Sequence, residues 1–240
     1  MSDASPALAV SGLEVRYGGV AAVRDVSLEV GRGEIVGLVG PNGAGKSSTL
    51  MAIMGAVSPS AGDVLMGGRS IRGMRSEDIA RSGIALVPEG RHIFSNLSVR
   101  ENLRLGLVGR RESNGVAKDL DWIQTLFPVV KDFADRHAAA LSGGQQQQLA
   151  IARALLAKPD ILILDEPSLG LAPVVVQAVW EALAEINRQG VTILLVEQRA
   201  QITVSFCSRT YVMSNGQIRM TLTPGDADNT ERMVSAYFAS

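Results

Sequence analysis

The chain has 240 residues, 46% of them hydrophobic, and its 23 Lys and Arg against 24 Asp and Glu give a formal net charge of -1. This length suits one α/β domain, or two interlocked lobes, with a substantial core, and the near-neutral charge excludes a general attraction to nucleic acid. The single cysteine, Cys207, excludes an internal disulfide, and with His92 and His137 far from it there is no metal-ligand cluster.

The first residues, Met1 to Pro6, lack both a basic stretch and an apolar stretch, so no secretory signal is expected. Apolar runs such as residues 161–164 and 191–196 have the length of strands and fall far short of a membrane-spanning helix. We therefore expect a cytoplasmic protein.

Two alternating runs open the chain. Residues 8–17 place Leu13, Val15 and Tyr17 on one face, and a second run follows at residues 26–30. We expect these to pair as antiparallel strands beside the buried strand that follows at residues 34–39. Tyr17, at a strand end, could stack on an adenine ring or be a half-buried strand tyrosine, and position alone leaves both readings open.

A glycine-rich loop follows the strand at residues 34–39 and leads into a predicted helix from residue 48 to residue 54. Its sequence fits G-x-x-x-x-G-K-[ST], a pattern in which backbone N–H groups and a helix N-terminus surround a polyphosphate, the lysine reaches the β- and γ-phosphates, and the hydroxyl ligates Mg²⁺. A Gly-rich turn is the alternative, but the flanking strand and helix favour nucleotide binding. The predicted nucleotide-binding residues here are Gly40, Pro41, Asn42, Gly43, Ala44, Gly45, Lys46, Ser47 and Ser48.

The middle of the chain is mostly helical in pattern. A short strand at residues 63–66, a helix at 75–81 and a buried strand at 84–87 precede Glu89, which should lie in a loop at that strand's carboxyl end. Ser98 fits a capping box, residues 110–119 read as a loop, and residues 121–127 read as a helix that Pro128 ends. These signals suggest a helical lobe inserted into a sheet domain.

A Ser-Gly-Gly turn opens the next helix. Such a turn exposes N–H groups at a helix N-terminus and can bind an anion, although an ordinary serine N-cap explains the same residues. Alone, the turn leaves both readings open. Its residues are Leu141, Ser142, Gly143, Gly144 and Gln145.

The next apolar strand ends in two adjacent acids, Asp165 and Glu166. Asp165 is suited to bind Mg²⁺ and Glu166 to polarise an attacking water, whereas the plain alternative is a strand end capped by solvated acids. The phosphate loop upstream favours the catalytic reading. Another buried strand at residues 191–196 leads to Gln198, and a hairpin around Asn215-Gly216 precedes a predicted closing helix at residues 234–238.

Taken together, these motifs resemble the ATP-binding subunits of ATP-binding-cassette (ABC) transporters over nearly the whole chain. In that family residues 40–47 correspond to the Walker A motif, residues 161–165 to the Walker B strand, Glu166 to the catalytic carboxylate, and residues 141–145 to the signature. The resemblance implies that Tyr17 stacks on adenine, and that the signature contacts the γ-phosphate held by an opposite subunit. It also implies an α/β fold: a P-loop NTPase (RecA-like) core with an antiparallel β subdomain and an inserted helical subdomain.

Three positions depart from the broad family pattern: Glu89 for glutamine, Gln198 for histidine and Ala172 for aspartate. Glu89 can still ligate Mg²⁺, and Gln198 can still donate a hydrogen bond to the γ-phosphate. The same departures resemble the smaller ATPase of branched-chain amino acid importers, with urea and amide importers close by. The catalytic set implied is thus Glu166, Lys46 and Gln198, with ATP and with Mg²⁺ on Ser47, Asp165 and Glu89.

The resemblance further implies a single ATP-binding domain over residues 1–240, with a core at 1–90 and 159–240 and a helical signature subdomain at 91–158. Its expected partners are a second, paralogous ATPase (a homodimer being the alternative), two transmembrane permeases and a solute-binding protein, and no nucleic acid. The subunit would then be peripheral on the cytoplasmic face of the membrane. A soluble ABC-type ATPase and an ATP-binding clamp without turnover are the competing hypotheses.

Overall fold

The structure, a computed structural model, describes residues 5–229. The closing helix predicted at residues 234–238 lies outside this range. The described strands, in chain order, are β1 (Leu8–Tyr17), β2 (Val20–Val30), β3 (Ile35–Val39), β4 (Ala61–Met66), β5 (Arg69–Ser70), β6 (Ile84–Val87), β7 (Ile161–Asp165), β8 (Thr192–Glu197), β9 (Arg209–Ser214) and β10 (Gln217–Leu222). The α-helices are α1 (Lys46–Ile53), α2 (Ser76–Ser82), α3 (Val99–Leu105), α4 (Val116–Leu126), α5 (Val129–Asp132), α6 (Gly143–Leu156), α7 (Pro173–Arg188) and α8 (Ala200–Phe206).

The chain divides into two compact units. Of the described residues, the first unit comprises 5–79 and 192–229, and the second comprises 80–191. Each is described separately below.

The first unit contains an antiparallel sheet with strand order β2-β1-β4-β5. The alternation that predicted β1 and β2 is visible in their burial, since Leu13 and Val15 in β1 and Val26, Leu28 and Val30 in β2 are buried. Their antiparallel pairing is confirmed. The prediction that they lie beside β3 is wrong, because the free edge of β1 is taken by β4, which pairs antiparallel with it.

The strand before the phosphate loop, β3, has parallel neighbours on both sides. It pairs with β8 and with β9, and all five of its residues are buried, which explains its continuous apolar sequence. The predicted terminal hairpin is present as β9 and β10, which pair antiparallel around Asn215-Gly216. It is not a separate terminal element, because β9 also extends the sheet next to β3.

One helix of the first unit has no counterpart in the prediction. Helix α8 follows β8 and buries Ala200, Thr203 and Val204, the i, i+3, i+4 spacing of an amphipathic helix. Its Ile-Thr-Val run is rich in β-branched residues, which lower the helix signal. Packing of α8 against β3 and β8 outweighs that local preference.

The second unit combines a parallel strand pair with helices. Strands β6 and β7 pair in parallel, and the chain between them is helical, as expected, in α3 to α6. Helices α3, α4 and α5 pack against α6. The predicted loop at residues 110–119 is shorter than expected, because Gly115, with φ 71°, caps a helix that already starts at Val116.

Candidate active site

The phosphate loop of the first unit joins β3 to α1. Gly43 and Gly45 have φ values of 79° and 106°, and Gly45 caps α1. A Cβ on Gly45 would stand 2.5 Å from the carbonyl oxygen of Ala22, and one on Gly40 would stand 2.1 Å from that of Met213. At Gly43 an added Cβ would meet nothing within 4 Å, so the tip of the loop faces open space. The loop is thus packed at both ends and accessible in the middle, as a phosphate cradle must be.

Lys46 is the first residue of α1 and is only 5% exposed. Its ammonium group donates hydrogen bonds to the carbonyl oxygens of Gly40, at 2.8 Å, and Pro41, at 3.2 Å. The cation is therefore held against the loop. Ser47 and Ser48 follow in the first helical turn, whose N–H groups have no partner further back in the helix and so favour an anion.

Gln198 leaves the sheet at the same edge as the phosphate loop. In the parallel pairing of β3 with β8, Val39 is opposite Glu197, so Gly40 and Gln198 are the next residues of two adjacent strands. Glu197 is buried and Gln198 is exposed. The structure thus brings Gln198 to the end of β3 where the loop begins.

In the second unit, β6 and β7 repeat this arrangement with acidic residues. Val87 is opposite Leu164, so Glu89 and the pair Asp165 and Glu166 leave the strands at one edge. Asp165 is 8% exposed, and Glu166 has φ 48°. A left-handed backbone at a residue other than glycine costs about 1–3 kcal/mol and is concentrated at functional sites. The two acids therefore end β7 in unlike settings, one buried and one on a strained turn.

The signature turn is a serine N-cap as well as a candidate anion site. Ser142 Oγ accepts a hydrogen bond from the Gln145 N–H, and Gln145 Oε1 accepts one from the Ser142 N–H at 2.9 Å. This is a capping box at the start of α6. A hydroxyl that accepts through oxygen keeps its own O–H as a donor, so the cap remains compatible with anion binding.

The two glycines of this turn are covered by side chains that the sequence analysis did not identify. A Cβ on Gly143 would stand 2.9 Å from Arg91 Nη2, and one on Gly144 would stand 2.5 Å from Val175 Cγ1. Both contacts join residues that are distant in sequence, so a local sequence pattern does not predict them. The Val175 contact explains glycine at position 144, whereas the end of the flexible Arg91 side chain can move to admit a Cβ at position 143.

The remaining predicted residues are placed as follows. Tyr17 ends β1 opposite Val20 and is 47% exposed, so it is not on the buried face with Leu13 and Val15. Ala172 is the N-cap of α7, where the side chain makes no capping hydrogen bond. Within residues 5–229, no three His, Cys, Asp or Glu side chains are grouped so that they could hold a metal ion.

Within the same described part of the chain, no helix is long and apolar enough to cross a membrane.

Proteins of similar sequence and structure include ATP-binding subunits of transporters, in agreement with a nucleotide site. A family model described as ABC transporter matches residues 23–169. The high-affinity branched-chain amino acid transport ATP-binding protein BraG of Pseudomonas aeruginosa is 45% identical, over 85% of this chain and 87% of BraG. LivG of Salmonella typhimurium, with the same description, is 33% identical over 97% of both chains. A crystal structure of an ATP-binding cassette of an ABC transporter, in its ADP conformation, superposes with TM-score 0.87 and 26% identity, over 98% of this chain and 99% of that one.

The family model spans more than half of the chain, and the solved cassette confirms the expected α/β P-loop fold over nearly all of it. The chain belongs to the ABC transporter family, as one of its nucleotide-binding ATPases.

Proposed function

We propose that this chain is the ATP-hydrolysing subunit of an importer of branched-chain amino acids. The observation that carries the proposal is the 45% identity to BraG, a branched-chain amino acid transport protein, over most of both chains. The second relative, LivG, has the same description at lower identity. The departures at Glu89, Gln198 and Ala172 support the same subgroup.

In this proposal the first unit binds the nucleotide. The loop residues 40–48 surround the phosphates with N–H groups, and Lys46 turns from the carbonyl oxygens of Gly40 and Pro41 towards the β- and γ-phosphates. Gln198, at the same sheet edge, donates to the γ-phosphate through its amide. Tyr17, already half exposed at the end of β1, stacks on adenine.

The second unit supplies the reaction chemistry. Glu166, on its strained left-handed backbone, orients the attacking water and accepts its proton. Of the residues predicted to hold Mg²⁺, this unit supplies Asp165 and Glu89, and the ion would neutralise charge on the phosphates. The signature residues 141–145 act on the nucleotide of an opposite subunit, through the Ser142 hydroxyl and the first N–H groups of α6.

The proposed role of the signature residues requires a second ATPase subunit, and transport requires membrane partners. We infer a head-to-tail pair with a paralogous ATPase, bound to two permeases at the cytoplasmic face of the membrane and fed by a solute-binding protein. The division into a core at residues 1–90 and 159–240 and a helical subdomain at 91–158 stays a prediction.

Reconstitution tests the proposal. The chain is assembled in proteoliposomes with two permeases, a second ATPase and a binding protein of the same transport system, and uptake of radiolabelled leucine, valine and isoleucine is compared with uptake of urea and acetamide. ATP-dependent uptake of the amino acids alone supports the proposal. Uptake of urea or acetamide instead would assign the chain to the related importers. ATP binding without hydrolysis in the assembled complex would identify a clamp, and hydrolysis unaffected by the permeases would indicate a soluble ATPase.

A further inference from the structure

The segment after β6 has an unusual backbone. Gly90, Arg91 and His92 have φ values of 77°, 68° and 43°, three successive left-handed residues of which two carry side chains. Each such residue other than glycine costs about 1–3 kcal/mol and persists only where its surroundings hold it. We call residues 89–94 the Glu89 loop.

Two buried or partly buried side chains hold the backbone of this loop. Asn102, which is fully buried in α3, donates to the carbonyl oxygen of Phe94 and accepts from its N–H, both at 2.9 Å. Arg153, in α6, donates to the carbonyl oxygen of His92 at 2.8 Å. The loop is therefore anchored on the helices of its own unit and is not a free surface loop.

Arg91 extends from the loop to the start of α6. Its Nη1 donates to Gln146 Oε1 at 3.2 Å, and its guanidinium lies over Gly143, where an added Cβ would stand 2.9 Å from Nη2 and 3.1 Å from Nη1. Gly143 is helical, so its backbone angles do not require glycine, and the Arg91 guanidinium occupies the space next to its Cα.

Gln146 continues the connection to the signature turn. While its Oε1 accepts from Arg91, its Nε2 donates to the carbonyl oxygen of Leu141 at 3.2 Å and reaches that of Ala138 at 3.5 Å. Leu141 is the first residue of the signature. A continuous chain of contacts thus runs from the Glu89 loop through Arg91 and Gln146 to the residue that precedes Ser142.

The positive charge of Arg91 does not stabilise helix α6. The N-terminus of an α-helix carries partial positive charge, so an acid stabilises it and a cation destabilises it. A guanidinium placed over the first turn of α6 therefore works against the helix dipole. Its position is better explained by the connection that it makes.

We propose that Arg91 is a positioning residue of the ATPase reaction, which couples the Glu89 loop to the signature turn so that displacement of one displaces the other. The inference rests on the proposed function, because the turn acts only when nucleotide is held by an opposite subunit. The guanidinium fork of Arg91 sets where Gly143 and Leu141 stand relative to Glu89.

The test uses the assembled transporter, with the variants Arg91→Ala, Arg91→Lys, Gln146→Ala and the double variant Arg91→Ala/Gln146→Ala. We expect Arg91→Ala to lower kcat by about tenfold or more, as small misplacements of catalytic groups do, while KM for ATP changes less than about twofold because the phosphate loop is untouched. Arg91→Lys should not restore kcat, since an ammonium lacks the planar fork. The double variant should be no slower than the slower single variant.

Arg100→Ala is the matched control, because Arg100 is an exposed arginine of the same unit whose side chain pairs with Asp135, at 2.9 Å, and not with the Glu89 loop or the signature turn. Its kcat should stay at the wild-type value. The inference is overturned if Arg91→Ala keeps the wild-type kcat, if its loss appears in KM alone, or if the losses of the two single variants add. Thermal denaturation of each variant separates unfolding from a change in kcat. If Arg91→Ala does not fold, the kcat and KM of Arg91→Lys are compared with those of wild type instead. A wild-type complex without ATPase activity would instead overturn the proposed function.

Discussion

A methyl group added to Gly144 would stand 2.5 Å from Cγ1 of Val175, in the first turn of α7. The second glycine of the signature turn is therefore required by a neighbour in its own chain, apart from any role towards a nucleotide. Alanine at position 144 would keep the backbone N–H. The effect of Gly144→Ala therefore measures the steric contact with Val175 and not the loss of a hydrogen-bond donor.

We expect Gly144→Ala to lower the melting temperature, since overpacking a closed contact costs about 1–3 kcal/mol, and to reduce ATP hydrolysis by moving the turn. Gly144→Ala/Val175→Ala removes the clash and should recover part of both losses, while Val175→Ala alone should have a small effect. The melting temperatures and kcat values of the four proteins check this. A double variant as impaired as Gly144→Ala would show that Val175 is not the obstacle.

Lys46→Ala removes the cation that the loop holds against Gly40 and Pro41. Because loss of one preorganised charge at a phosphoryl centre costs about 10²–10³ in kcat, we expect hydrolysis to fall by that factor and ATP binding to weaken. Turnover and fluorescent-ATP titration measure the two effects. Lys118→Ala, which removes a lysine of α4, is the control and should leave both unchanged.

Glu166→Gln and Glu89→Gln make the same chemical change at two residues that leave one sheet edge. An amide at 166 cannot accept a proton from water, so we expect ATP to bind normally while kcat falls by about 10²–10⁴. Position 89 carries glutamine in the broader family, so Glu89→Gln should change kcat far less. The measurement is single-turnover hydrolysis with Mg²⁺ varied; similar losses for both variants would contradict the assignment of the base.

The sequence identifies the candidate site residues more readily than the contacts that hold them in place. Residues 40–47 and 141–145 were recognisable because a phosphate loop and a capped turn are short patterns whose chemistry depends on adjacent residues. The strand ends were also predictable, since a continuous apolar run stopping at Glu89, Asp165 or Gln198 marks a buried parallel strand. In each case the information is local.

What the sequence did not predict depends on contacts between distant residues. Arg91 over Gly143 and Val175 against Gly144 belong to no local pattern, and the β-branched run of α8 argues against the helix that tertiary packing imposes. The placement of β1 beside β4, not β3, was missed for the same reason, because period-2 alternation specifies a strand but not its partner.

The thiol of Cys207 gives a prediction about stability at high pH. Burial raises the pKa of Cys207 to about 12, against a usual value of 9.0, and nearby Glu197 and Glu34 act in the same direction. The folded chain therefore keeps its thiol proton at a pH where the unfolded chain has lost it. The free energy of unfolding should consequently fall as pH rises from the unfolded pKa towards the folded one, and should be insensitive to this group below pH 8.

Between pH 8 and pH 10 we expect wild type to lose about 1 kcal/mol more stability than Cys207→Ala, because only the wild-type unfolded state gains from ionising this thiol. Urea denaturation of both proteins at the two pH values measures the difference, in which the other titrating groups cancel. A thiol reagent gives an independent check, since the native protein at pH 8 should react slowly and the urea-unfolded protein rapidly at its single cysteine. Rapid reaction of the native protein, together with equal losses for the two proteins, would mean that Cys207 is accessible and that burial does not control its ionisation.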